Sequence, residues 1–155
     1  MAQLLPHRKS EIREAYRALA ELAAASPSSG LSVHGDFYEA QIFLTDDLHL
    51  GLIDLEDGGA GDPLLDAANM LAHLTVLDYY SPEADGRPLA YRTLVRDALL
   101  ERMGGGEAEL DWREAYGLFM LATGPFRVMR PAWQEEAEIR LDSALEKLKA
   151  ASVLG

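Results

Sequence analysis

A chain of 155 residues is long enough for one domain with its own core. With 26 Asp and Glu against 14 Lys and Arg its net charge is −12, a surface that repels phosphate backbones and disfavours nucleic acid as a partner. There is no cysteine, which excludes disulfides and thiolate metal sites, and no apolar run approaches the ~20 residues of a membrane span. The opening stretch MAQLLPHRKSEIREAY lacks the apolar core and small-residue cleavage site of a signal peptide, so a soluble, cytoplasmic chain with no membrane partner is expected.

Ser10 is a candidate cap for a helix over residues 10–25, with Ile12, Tyr16, Leu19 and Leu22 on one face. SPSSG, residues 26–30, reads as a loop, and LSV, 31–33, is short, apolar and β-compatible. QIFLT (41–45) and LHLGLID (48–54) flank Asp46-Asp47, which predicts a β-hairpin. EDGGAGDP, 56–63, reads as a Gly-rich loop. Asp62 then Pro63 predicts a helix start, a capping carboxylate followed by a ring that needs no donor. Leu64, Ala68, Leu71, Leu74 and Leu77 give that helix an apolar stripe, and YYSPEADGRP (79–88) ends it. A third helix is expected over 89–103, stopping at Gly104-Gly105-Gly106. Asp111 and Glu114 have capping-box spacing and predict a helix from there to about residue 122. TGPFRVMRP, 123–131, reads as a connector, and a last helix is expected over 132–151 with Ala137, Leu141, Leu145 and Leu148 inward. The predicted class is mainly α with a small β-hairpin (α+β), in a single domain over 1–155.

The chemistry concentrates around the hairpin. His34-Gly35-Asp36 precedes it, and Gly35 permits the tight backbone that brings flanking side chains together. Gln41 opens the first strand and Asp54 closes the second. A hairpin doubles back, so Asp36, Gln41 and Asp54 are expected to converge although they span eighteen residues. Two such oxygen ligands suit a hard cation such as Mg²⁺. A further carboxylate is suited to taking a proton from a hydroxyl, and together these are the parts phosphoryl transfer needs. Each Asp, at a turn or strand end, also has a purely structural reading.

Other constellations are weaker. His34, Asp36, Asp54 and His73 form a conceivable metal set, but no close His-x-x-x-His spacing supports it. His73 reads as a partly buried structural residue and His49 as a hairpin-edge one. GGAG, 58–61, lacks the Gly-Lys-Ser/Thr of a phosphate-binding loop and reads as a turn, and no Gly-x-Ser-x-Gly elbow is present. Trp112, Phe119, Phe126 and Trp133 read as packing residues.

The segment HGDFYEAQIF…GLIDLEDGGAGDPLLDAANMLAHL, within residues 32–75, resembles the catalytic segment of the aminoglycoside phosphotransferase and choline kinase family, which has a protein-kinase-like fold. The family pattern is His-Gly-Asp, four residues, Asn, a hairpin ending Ile-Asp-Trp/Phe-Glu, then Gly-Asp-Pro and a helix. LATGPFRV, 121–128, also resembles bacterial members, and the helical remainder, 76–151, agrees with the family's C-terminal lobe. The resemblance implies a small-molecule phosphotransferase that uses Mg²⁺ and moves the γ-phosphoryl group of ATP to a hydroxyl. It implies that Asp36 is the catalytic base and that His34 orients its loop. Gln41 stands where the family has a metal-binding Asn, and Asp54 is the carboxylate that holds Mg²⁺ against the nucleotide phosphates. Asp62, with Gly35, supports the loop, while Asp66 reads as a first-turn helix carboxylate. Glu56 and Asp57 are weak substrate or metal candidates, otherwise solvated loop acids. Trp133, Glu135 and Glu136 are weak candidates for an acceptor pocket.

Two departures stand out. Gln replaces Asn at 41, one methylene longer. The family's N-terminal β lobe, with its phosphate loop and strand Lys, is expected to be absent, because one helix and a loop precede His34 and Lys9 is the only early lysine. That implies a missing or separate N-lobe and an exposed apolar face where it would pack. The alternative expectation is a catalytically silent protein of the same fold that docks on a partner.

Overall fold

In chain order the elements are α1 (Lys9–Ala25), β1 (Leu31–Val33), β2 (Ile42–Leu44), β3 (Leu50–Leu52), β4 (Gly59–Gly61), α2 (Pro63–Tyr80), α3 (Arg87–Met103), α4 (Glu107–Leu121), the single-turn α5 (Gly124–Arg127) and α6 (Trp133–Leu154). They come from a computed structural model, which describes residues 1–26, 30–103 and 106–154. The loop expected at 27–29 and the helix stop expected at 104–105 lie outside the described residues. The class is α+β, mainly helical with two small antiparallel sheets. No helix among the described residues is long and apolar enough to cross a membrane.

The chain divides into two compact units, Met1–Pro27 with Gly106–Gly155, and Ser28–Gly105. In the first, α4 packs along α6, burying Leu110, Ala115 and Leu118 with Leu141, Ala144 and Leu148. The buried stripe of α1 is Ile12, Ala15 and Leu19, one face of a 3.6-residue period. Tyr16 is 65% exposed, so that face is narrower than its residue types suggest. Ser10 is not a cap. A 3-10 turn at Pro6–Arg8 starts the winding earlier, Arg8 takes the N-cap position, and Ser10 Oγ donates to Glu14 within the helix.

Asp111 and Glu114 are not a capping box either. The helix starts at Glu107, after Gly106 at φ 89°, so both carboxylates fall inside it. Both are buried, and Lys147 of α6 reaches them at 3.3 and 3.1 Å. Buried carboxylates need such a partner, since an uncompensated charge in the interior is costly. The stretch that reads as a connector holds the short α5, with Pro125 at its start and buried.

In the second unit, Ala68, Leu71 and Leu74 of α2 are buried as the stripe predicts. Met70 and Ala72 are buried too, so α2 is covered on more than one face. Its start is as predicted: Pro63 is the first helical residue and Asp62 Oδ1 accepts from Leu64 N at 3.0 Å. Asp62→Ala is expected to cost about 1 kcal/mol, read as a lower urea midpoint with an unchanged slope. Helix α3 starts two residues before its expected position.

The hairpin forms as predicted, β2 against β3 with Ile42↔Leu52, Phe43↔Gly51 and Leu44↔Leu50. The Phe43 ring covers Gly51, where any Cβ would run into it. One strand is not legible in the sequence. Strand β4, inside the stretch that reads as a Gly-rich loop, pairs antiparallel with β1, Leu31↔Gly61 to Val33↔Gly59. Glycines carry no strand signal, and at Gly61 a Cβ would sit 2.9 Å from a Val33 methyl.

Candidate functional site

Strand β1 delivers the chain to His34 at its C-terminal end. The five residues that follow β1 are held by one face of α2. Asp66, in the first turn of α2, accepts from His34 N at 2.6 Å and Gly35 N at 3.0 Å. Asn69, three residues on, donates through Nδ2 to Asp36 Oδ1 and to the Phe37 carbonyl, both at 3.1 Å. His73, another turn along, stacks on Tyr38 with ring centroids 4.1 Å apart. Residues three and four apart share a helix face, so Asp66, Asn69 and His73 meet residues 34–38 in order.

Gly35 is required where it stands. Its φ is 88°, and a Cβ there would collide with the Asp57 backbone carbonyl. The loop is also tied to the hairpin, because the buried His34 ring donates from Nε2 to the Ile53 carbonyl at 2.8 Å. Ile53 N in turn donates to the Gln41 carbonyl at 3.1 Å, which carries the β2–β3 ladder one step further. The next residue, Asp54, has φ 61°. Asp tolerates that region better than most residues, and side chains held there often serve a site.

At this point the two hairpin ends meet. Gln41 Nε2 donates to Asp54 Oδ2 at 2.9 Å, and Gln41 is buried. The Tyr38 hydroxyl is pushed above its ordinary pKa by burial first, and then by the negative charges of Asp36, Glu39 and Asp54. Of the expected convergence a hydrogen bond joins Gln41 with Asp54, while Asp36 is held by Asn69 of α2.

The remaining expected site residues are placed as follows. Asp62 caps α2, and the carboxylate that grips the loop backbone is Asp66. Glu56 and Asp57 are exposed in the turn before β4. Trp133 and Glu135 belong to the other unit, where Trp133 meets Phe126 edge to face at 5.2 Å and Glu136 pairs with Arg130. His49 is exposed on the hairpin and pairs with Asp47, while His73 is half-buried against Tyr38. Among the described residues no group of three or more His, Asp or Glu is gathered that would hold a metal alone.

Sequence reasoning passes over Asn69 and gives Asp66 only a helix-terminal role. A signal is present all the same: the start at Asp62-Pro63 fixes the helix phase, and the spacing 66, 69, 73 marks one polar stripe on an otherwise apolar helix.

The family model described as APH, phosphotransferase enzyme family, matches residues 1–116. The chain belongs to this phosphotransferase family. The match extends the resemblance seen over 32–75 through α1 and most of α4. No curated protein and no solved structure matches the chain. Membership implies phosphotransferase-type activity in general, and phosphotransferases of this family generally use ATP and Mg²⁺. A carboxylate and an amide oxygen are donor types that such a hard ion takes, and the Asp54 and Gln41 side chains lie together. The Gln41 amide turns its nitrogen toward Asp54, so offering its oxygen to the ion requires it to rotate.

Proposed function

We propose that this phosphotransferase moves the γ-phosphoryl group of ATP to a hydroxyl on a small substrate. The observation that carries the reading is a pair of held carboxylates, Asp36 bonded by Asn69 of α2 and Asp54 by Gln41 where the hairpin closes. The acceptor oxygen attacks the γ-phosphorus, its proton passes to Asp36, the bond to the β–γ bridging oxygen breaks, and ADP leaves with that electron pair. Asp36 orients and deprotonates the hydroxyl. His34 and Asp66 hold the loop from both sides. Asp54, with Gln41 once its amide has turned, would hold Mg²⁺, which offsets phosphate charge when bound. Glu56 and Asp57 stand nearest in sequence to Asp54 as candidates to meet the substrate, and Trp133 and Glu135 are assigned to acceptor recognition on the resemblance alone.

We assign the chain to the C-terminal lobe of a protein-kinase-like fold acting in the cytoplasm. The three lysines, Lys9, Lys147 and Lys149, all lie on helices, so none is the strand lysine that the family sets over the phosphates, and that group would be supplied by an N-lobe, missing from this sequence or separate. The hairpin supports such docking: Leu48 is 76% and Leu50 74% exposed, with Leu44 and Leu55 also open. Apolar exposure on this scale marks interaction surfaces, and it also favours the second reading, a silent protein of the same fold that docks through this face.

Calorimetric titration separates the two. The wild-type chain is expected to bind MgATP, and Asp54→Asn to weaken it by about 10–100-fold. Equal affinity in the variant would remove Asp54 from the site. No uptake of MgATP by a folded wild-type chain would leave the docking reading.

A further inference from the structure

We propose that Asn69 is a positioning residue that decides which oxygen of Asp36 receives the acceptor proton. The inference rests on the phosphotransferase reading above and adds to it a residue outside the loop and the hairpin.

The geometry is specific. A side-chain amide nitrogen carries two hydrogens, and Asn69 Nδ2 has an acceptor for each, Asp36 Oδ1 and the Phe37 carbonyl, both at 3.1 Å. Both partners accept only, so the amide can face them in one orientation. The Phe37 bond holds the amide in place, and the Asp36 bond then fixes the rotation of the carboxylate. Among the described residues Asn69 is the one hydrogen-bond partner of that carboxylate. Oδ1 is thereby turned to Asn69, and Oδ2, which has no hydrogen-bond partner among the described residues, is the oxygen left to take the proton.

The anchor is firm because Asn69 rises from α2 between Ala68 and Met70, both buried. The loop backbone itself is gripped separately, by Asp66 at His34 N and Gly35 N and by the His34 ring at the Ile53 carbonyl. Asn69 therefore acts on the reacting side chain more than on the course of the loop. Of the short polar side chains, Asn is the one that fits. Asp at 69 would present a third acceptor to two acceptors, and Ser would bring a single donor.

The wild-type chain is to be compared with Asn69→Asp, which keeps the shape and removes both donors, and with Asn69→Ala. Phosphate release from MgATP, with water as acceptor, is followed alongside amide hydrogen exchange at His34 and Gly35. The expected result is a fall in kcat of about 10–100-fold, with KM for ATP unchanged and exchange protection of the two loop amides retained. A folded Asn69→Asp chain with wild-type kcat would overturn the role of Asn69 and leave the phosphotransferase reading intact. Loss of loop protection in both variants would also overturn it, because Asn69 would then be a general loop support. No phosphate release by the wild-type chain would overturn the role of Asn69 in turnover by this chain, and would leave the need for an N-lobe standing.

Discussion

Asp36→Asn is expected to lower the turnover number for phosphoryl transfer by about 10²–10⁴-fold, the range for loss of a general base, while the chain stays folded and binds MgATP as before. The variant is nearly isosteric. Its amide oxygen can take the place of Oδ1 and still accept from Asn69 Nδ2, so the loop has no reason to move. The NH₂ group then stands where Oδ2 stood, and a donor faces the acceptor hydroxyl where a proton sink is needed. Asp54, Gln41 and the hairpin are untouched, so nucleotide affinity should not follow turnover. ADP formation with a panel of small hydroxyl compounds, measured beside thermal melting, gives the answer. Wild-type turnover in a folded Asp36→Asn chain would move the base elsewhere.

Asp66→Ala is expected to be the most damaging single change to the site's support, costing about 2–3 kcal/mol of stability in urea unfolding. It removes a carboxylate that accepts at 2.6 and 3.0 Å from two successive backbone amides. Hydrogen bonds to a charged acceptor contribute more than neutral ones, and an amide left without a partner keeps its desolvation cost. The estimate stays below twice the single-bond value because Gly35 is exposed and its amide can turn to water. Asp66→Asn should fall between, since an amide oxygen accepts while its NH₂ presents a donor to a donor. Wild-type stability in Asp66→Ala would mean that the remaining contacts, His34 with Ile53 and Asn69 with Asp36 and Phe37, hold the loop without it.

Features encoded by near neighbours are legible in the sequence. The hairpin can be read from two apolar runs around Asp46-Asp47, and the start of α2 from Asp62 and Pro63, because turn and cap preferences act over a few residues. The convergence of Gln41 with Asp54 follows from the way a hairpin returns. The failures share a cause. Gly59–Gly61 becomes a strand only because Leu31–Val33 lies beside it. Asp111 and Glu114 look like a cap because their burial depends on Lys147, a partner 36 residues from Asp111. Asp66 and Asn69 act on a loop 31–33 residues away, and no local preference marks that. A short polar side chain on a helix has many fates, and only the fold selects one.

The ordered match between α2 and residues 34–38 bears on how this segment can change through descent. Replacement of single residues between the contacts alters one contact at most. A gain or loss of one residue between Asp62 and His73 is different, because every later position turns by about 100° around the helix axis. Those of Asp66, Asn69 and His73 that lie beyond the change would then address different parts of the loop, or none. The length of this stretch is therefore under tighter constraint than most of its letters, whereas the hairpin tip at Asp46-Asp47, which carries none of these contacts, is free to lengthen.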